Sequence, residues 1–256
     1  MNRTLGRFTG RGWTRGLGAA LCVLFAASAR GGTTTVEIEG GGAWFSRNDV
    51  RIPGDDGTEF DMLDLTGTGP NLYARLCLSH AFNDRHLIRL TAAPLEVEGD
   101  GRLSDPTRFA GEEFAPDVTT RGTYQFNTFR LTYRRTFRPE DGWEWGVGGA
   151  LLVRDAEIQL EQGPLSASDS NVGVVPLLHL YASRPLTGQL AAAADFEGLA
   201  SPQGRALDLA LTLRYRPHRD WDVAAGYRTL EGGADNDSVY TFAWIHYAML
   251  SVTRRF

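Results

Sequence analysis

Between residues 205 and 216 the chain alternates: Leu207, Leu209, Leu211, Leu213 and Tyr215 fall on one face, and Ala206, Asp208, Ala210, Thr212, Arg214 and Arg216 on the other. A period of two is the side-chain repeat of a β-strand, whose successive residues point to opposite faces. The pattern recurs at Leu72, Ala74, Leu76 and Leu78 against Tyr73, Arg75, Cys77 and Ser79. It recurs again at Trp145, Val147, Gly149, Leu151 and Val153 against Glu144, Gly146, Gly148, Ala150, Leu152 and Arg154. A soluble barrel turns its apolar face inward and its charges outward. Here the charged face also carries the glycines, alanines and serines, which suits a crowded interior. The apolar face then lies outside, against lipid.

Ten strands are expected, at roughly 34–46, 63–82, 86–98, 121–137, 143–158, 171–184, 188–198, 205–216, 221–231 and 239–256. Their connections alternate in length. Long polar stretches at 47–62, 99–120, 159–170, 199–204 and 232–238 take turns with short ones at Asn83-Asp84, 138–142, 184–188 and 217–220. Long outside loops and short periplasmic turns produce this alternation in a membrane barrel. Pro94 and Pro176 interrupt their runs and mark bulges. A weak seventh strand, or a hairpin hidden in 99–120, would make the count eight or twelve. Aromatics gather at the strand ends: Phe82, Phe137, Trp143, Trp145, Tyr215, Trp221 and Phe256 near the short turns, Trp44, Phe196, Tyr240, Phe242 and Trp244 near the long loops. Two such girdles match two membrane interfaces.

Residues 1–29 read as a signal peptide, leaving 30–256 as the barrel. Arg3, Arg7, Arg11 and Arg15 precede a short apolar stretch, Leu17 to Ala27, and Ala27-Ser28-Ala29 fits small-x-small cleavage. The stretch is too short to span a membrane. Leu21 before Cys22 is too bulky for a lipid-attachment site. Cleavage would take the formal charge from −5 to −9, and an acidic chain argues against nucleic acid as a partner. Cys77 would then be the one cysteine left, so no internal disulfide is expected.

The chain ends on Phe256, which closes the alternating segment from Tyr240 through Met249 and Val252. With the export signal, the alternation and the loop asymmetry, this strand resembles the assembly signal of Gram-negative outer-membrane β-barrel proteins. That resemblance covers residues 30–256. It implies an all-β, antiparallel up-and-down transmembrane barrel in the bacterial outer membrane. Its partners would be outer-membrane lipid, lipopolysaccharide and the outer-membrane assembly machinery, which would read Phe256. Arg254 stands where that signal expects an apolar residue; arginine there can snorkel to the interface. No cofactor and no oligomeric state are indicated.

The same register turns eight acids inward (Glu37, Glu39, Asp64, Glu144, Asp195, Glu197, Asp208 and Asp222) and seven arginines (Arg75, Arg89, Arg130, Arg134, Arg154, Arg214 and Arg228), close to balance. A lumen ion-pair network of Arg75, Arg89, Arg130, Arg134, Glu144, Asp208 and Arg214 is expected, because a buried charge must be paired. Ten strands give a narrow or plugged lumen, since open porin channels need about 16. The expected role is therefore structural, binding or adhesive, through acidic outer loops. A porin-like narrow channel for small solutes is the alternative.

Those loops carry Asp55, Asp56, Glu59, Glu112, Glu113, Asp235 and Asp237 without EF-hand spacing, so no metal site is assigned. Arg205, Arg228, Glu231 and Asp235 are expected to meet at the outer rim as a polar binding patch. An enzyme is a further alternative, with no catalytic residue assigned. Omptin-type proteases also have ten strands, but their motifs find no match here. A lipid-modifying barrel needs a serine, a histidine and an acid together on its lipid-facing wall. His246 faces that way, but spacing alone points to no partners for it.

Overall fold

The computed structural model describes residues 32–202 and 204–256; the segment read as a signal peptide lies outside them. Ten long strands close into one antiparallel barrel. β1 is Thr33–Arg51, β2 is Asn71–Ala81, and β3 runs in two pieces, His86–Ala93 and Glu96–Arg102. β4 is Thr119–Phe137, β5 Glu144–Gln162, β6 Leu165–Pro185 and β7 Leu190–Ser201. β8 is Gly204–His218, β9 Trp221–Asn236 and β10 Val239–Arg255. Neighbours in sequence pair with one another, and β1 closes the ring: Glu39 stands opposite Arg75 of β2 and Ser251 of β10. β3 breaks at Pro94, which has no N–H to give the ladder.

Leu131, Leu151, Val153, Leu178, Leu180, Leu211, Leu213, Leu250 and Val252 are all exposed on the outer wall. Between them Thr132, Leu152, His179, Ala210 and Ser251 are buried inside. This is the reverse of a soluble barrel. A closed ladder leaves no sheet edge in the hydrocarbon, where an unmet N–H or C=O is costly.

The strands run further outward than their apolar pattern suggests. Residues 159–170, expected as a loop, instead extend β5 and β6 to a tight turn at Gly163 (φ +60°). The reason is packing: Ile158, Leu160 and Ala167 continue the inward alternation and are buried. β1 likewise reaches Arg51. Residues 63–70, expected as strand, hold one helical turn, α1 (Leu63–Thr66), and β2 begins only at Asn71. Gly69 (φ +104°) and Pro70 cannot extend a ladder. Asp64, expected inside the lumen, is exposed on α1. The stretch 99–120 does hide a hairpin, Thr107–Phe109 with Glu112–Phe114, but it stays off the barrel sheet and the count remains ten.

These outer segments fill the barrel mouth. Ile52, Met62, Leu65, Leu103, Phe109 and Phe114 pack with Phe45, Tyr124, Leu160, Ile245 and Tyr247 of the strands. Met62 and Phe109 are fully buried, at 0% exposure. Glycines make the seat: a Cβ on Gly122 would lie 2.7 Å from Met62 Cε, and one on Gly99 2.5 Å from the Leu65 carbonyl oxygen.

Candidate functional site

Beneath this apolar stopper lies a layer of charge. Glu39 (β1), Asp195 and Glu197 (β7) and Asp208 (β8) face Arg75 (β2), Arg89 (β3), Arg130 (β4) and Arg228 (β9). Arg89 grips Asp195 with both terminal nitrogens, at 2.7 and 3.1 Å, and reaches Glu197 at 2.8 Å. Arg130 bridges Glu197 at 2.9 Å and Asp208 at 2.7 Å. Arg228 bridges Asp208 at 2.7 Å and Glu39 at 2.8 Å. Arg75 lies 3.5 Å from Asp208 and 3.7 Å from Glu39. The hydroxyls of Thr132 and Tyr73 donate to Glu197 (2.6 Å) and Glu39 (3.1 Å). Four carboxylates thus meet four guanidiniums, with planar forks suited to bridging. Charges this far from water are tolerable only when paired and hydrogen-bonded.

Several residues fall elsewhere than the sequence suggests. Arg228 does not join the outer rim; its side chain enters the charge layer because it alternates inward on β9. Arg134 and Arg214 face the lumen below the layer, with no carboxylate at ion-pair distance among the described residues. Arg134 instead lies 4.0 Å over the Tyr181 ring, and Arg214 donates to the Tyr181 hydroxyl at 3.3 Å. Glu144 pairs with Arg138 at 2.7 Å near the short turns, too far down its strand to reach the layer. Glu39, Asp195, Glu197 and Arg228 complete the layer instead. The alternation had turned all four inward; which partners they meet across the lumen is set by barrel stagger, which no local spacing reports.

Below the layer the lumen opens into a polar cavity of about 600 Å³, lined by Arg134, Tyr181, Arg214 and Glu37 and reaching the short-turn residues Thr187 and Gln189. Its mouth is tied by Arg216 and Arg255, both on Asp222, at 2.6 and 3.0 Å.

At the outer rim Arg205 and Glu231 pair, with Arg205 Nε 2.9 Å from Glu231 Oε1 and its guanidinium 4.9 Å over the Phe242 ring. Asp235 is exposed near the end of β9 and makes no ion pair with Arg205 among the described residues. In the first outer loop, burial holds the Asp61 carboxyl above its usual range, against a Leu63 N–H that donates to it at 2.9 Å.

His179, Asp195 and Glu197 bring three ligand-type atoms within 4.8 Å of one another. Arg89 and Arg130 already occupy both carboxylates at 2.7–2.9 Å. A divalent cation would meet two guanidinium charges there, so the donor set suits an ion-pair layer and not a metal.

No family model matches the chain, and no curated protein does. Among solved structures, the outer-membrane protease OmpT from Escherichia coli is 8% identical, covering 88% of this chain and 97% of that one at a TM-score of 0.53. Ail, the attachment invasion locus protein of Yersinia pestis, is 15% identical, covering 88% and 99% at a TM-score of 0.36. The translocator domain of the autotransporter NalP from Neisseria meningitidis is 12% identical, covering 96% and 98% at a TM-score of 0.42. At such identities the likeness is one of fold, and the OmpT structure carries it. An inside-out closed barrel with this fold is an integral outer-membrane β-barrel of the Gram-negative type. Within that class it is a small, ten-stranded barrel stoppered at its outer end.

Proposed function

We propose that this barrel is a non-conducting binding protein whose working surface is its acidic outer cap. The observation that carries this reading is the stopper. Side chains of the outer loops fill the mouth, so the loops are held against the strands. Asp55, Asp56, Glu59, Glu112, Glu113 and Asp117 are exposed on that held surface. Arg102 and Arg108 are exposed there too and Arg51 pairs with Glu59, but the acids outnumber the arginines, and a net negative field on a fixed surface favours partners of the opposite charge. The inner cavity favours the narrow-channel alternative, but a solute path would have to cross both the charge layer and the apolar core. Outer-membrane lipid and lipopolysaccharide would contact the wall, and Phe256 would serve the assembly machinery.

Two measurements test this. Refolded wild type in planar bilayers should give no current steps, and Arg130→Ala with Arg134→Ala should give none either, because the stopper lies above both. Steady wild-type current would replace binding by transport. An oligo-arginine peptide should bind the cap and weaken at least tenfold when Asp55, Asp56, Glu112 and Glu113 are changed to Asn or Gln. Unchanged affinity would remove the cap from the account.

A further inference from the structure

On the lipid-facing wall, Ser46 and His246 sit side by side. In β1, Phe45 pairs with Ile245 and Arg47 with Trp244, so Ser46 is an extra residue with no partner in β10. Such a bulge puts two successive residues on one face and re-aims a side chain. Phe45 is buried in the lumen while Ser46 is exposed outside. Its hydroxyl lies 2.8 Å from His246 Nε2. The other ring nitrogen, Nδ1, is 2.5 Å from the Tyr227 hydroxyl, and the Tyr227 ring stacks on the imidazole at 6.0 Å and 21°. Trp244 flanks the histidine on the other side, 5.4 Å away, and is fixed by its indole N–H donating to Thr229 at 2.7 Å.

A hydroxyl within reach of an imidazole whose far nitrogen is held by a third group is the arrangement of an activated nucleophile. With the ring proton on Nδ1 donated to the Tyr227 oxygen, Nε2 is free to accept the proton of Ser46. One competing acceptor is present, the Trp244 carbonyl at 3.4 Å.

Its height in the membrane indicates what it would meet. From Thr35, opposite Arg255 near the short turns, to Ser46, β1 climbs about 36 Å, or roughly 28 Å along the membrane normal at a tilt of ~40°. That is the upper edge of an apolar band about 25 Å tall. Trp44 and Trp244 are exposed at this level. Arg47, also outward, lies 5.2 Å over Phe242, and Arg51 4.7 Å over Tyr240. Acyl chains lie just below such a level and anionic headgroups beside it.

We propose that Ser46 and His246 form an acyl-hydrolase site on the outer wall, acting on an ester-linked acyl chain of an outer-leaflet lipid. Ser46 Oγ attacks the ester carbonyl as its proton passes to His246 Nε2. The acyl carbon–oxygen bond then breaks, and the leaving alcohol takes that proton. Water, deprotonated by His246, hydrolyses the acyl-serine to a free fatty acid and restores the serine. Tyr227 is a positioning residue that holds the imidazole in the place the expected acid would take; no carboxylate is among the contacts of His246 in the described residues.

The refolded full chain would be incubated in micelles with lipopolysaccharide, or separately with phospholipid, and released fatty acid measured by mass spectrometry. Release from either is expected, and the arm that releases it names the lipid. Ser46→Ala and His246→Ala should each lower the rate at least 100-fold. Both positions face outward, and a heat-dependent gel shift would confirm that each variant is folded. Tyr227→Phe, which keeps the stacked ring, should lower kcat about tenfold with KM unchanged. Release from neither lipid, or equal release by Ser46→Ala, would overturn the proposal. Because the cap is not involved, loss of peptide binding would leave this result untouched.

Discussion

The two ends of the lumen are built in opposite ways. The outer half is apolar and filled, and much of its filling comes from loops: Ile52, Met62, Leu103, Phe109 and Phe114. The inner half is polar and hollow, and its walls are strand residues such as Arg134, Tyr181 and Arg214. The charge layer separates them. The contrast teaches where an arginine can stand without a carboxylate. All four of Arg75, Arg130, Arg134 and Arg214 line the cavity, but Arg75 and Arg130 at its closed outer end are only 6% exposed and are bound to acids, whereas Arg134 and Arg214 stand nearer its mouth on the Tyr181 ring and hydroxyl.

The comparison breaks most visibly at the layer. Glu197→Ala takes one of two carboxylates from Arg89 and from Arg130, which keep Asp195 and Asp208, and leaves the buried Thr132 hydroxyl without its acceptor; it should cost about 3 kcal/mol in urea unfolding followed by tryptophan fluorescence. If Glu37→Ala in the inner cavity costs as much, the layer has no special standing. In the outer half, Phe109→Ala empties a fully buried ring site and should cost about 3 kcal/mol. The same variant should expose the cap to protease in intact cells; unchanged resistance would mean the loops hold without the stopper. In the inner half, Arg134→Ala gives up a ring contact beside a cavity and should cost under about 1 kcal/mol by the same unfolding assay.

The smallest effect concerns Asp61. Its folded pKa is raised by burial, so its contribution to stability is complete below the unfolded carboxyl range and is lost as pH rises through the folded value. Wild type should therefore fall progressively behind Asp61→Asn in thermal midpoint between about pH 3 and pH 7. A difference that stays flat with pH would show that the carboxyl is not buried in solution.

Much of the fold is legible in the sequence because membrane strands declare their faces. Leu207 to Tyr215 and Trp145 to Val153 alternate without interruption, and both lie where that alternation puts them. The outer extensions were harder to read. Residues 159–170 carry glutamines, glutamates and serines on the exposed face, so they resemble a loop until Ile158 and Leu160 are seen to pack inside. The charge layer was half legible: inward direction follows from parity, but Arg130 meets Asp208 only through closure of the ring. Ser46 points outward by simple parity from Trp44, but its neighbour was hidden by the bulge: Phe45 pairs with Ile245 and Arg47 with Trp244, so no residue count along β1 sets Ser46 beside His246.

A barrel stoppered at its outer end is a cup rather than a pipe. If the barrel is non-conducting, as proposed, its inner cavity shares the solutes of the periplasm while the stopper keeps the medium out. Copies would then accumulate in the outer membrane without adding to its leak, and membrane area rather than loss of the permeability barrier would limit how many a cell carries.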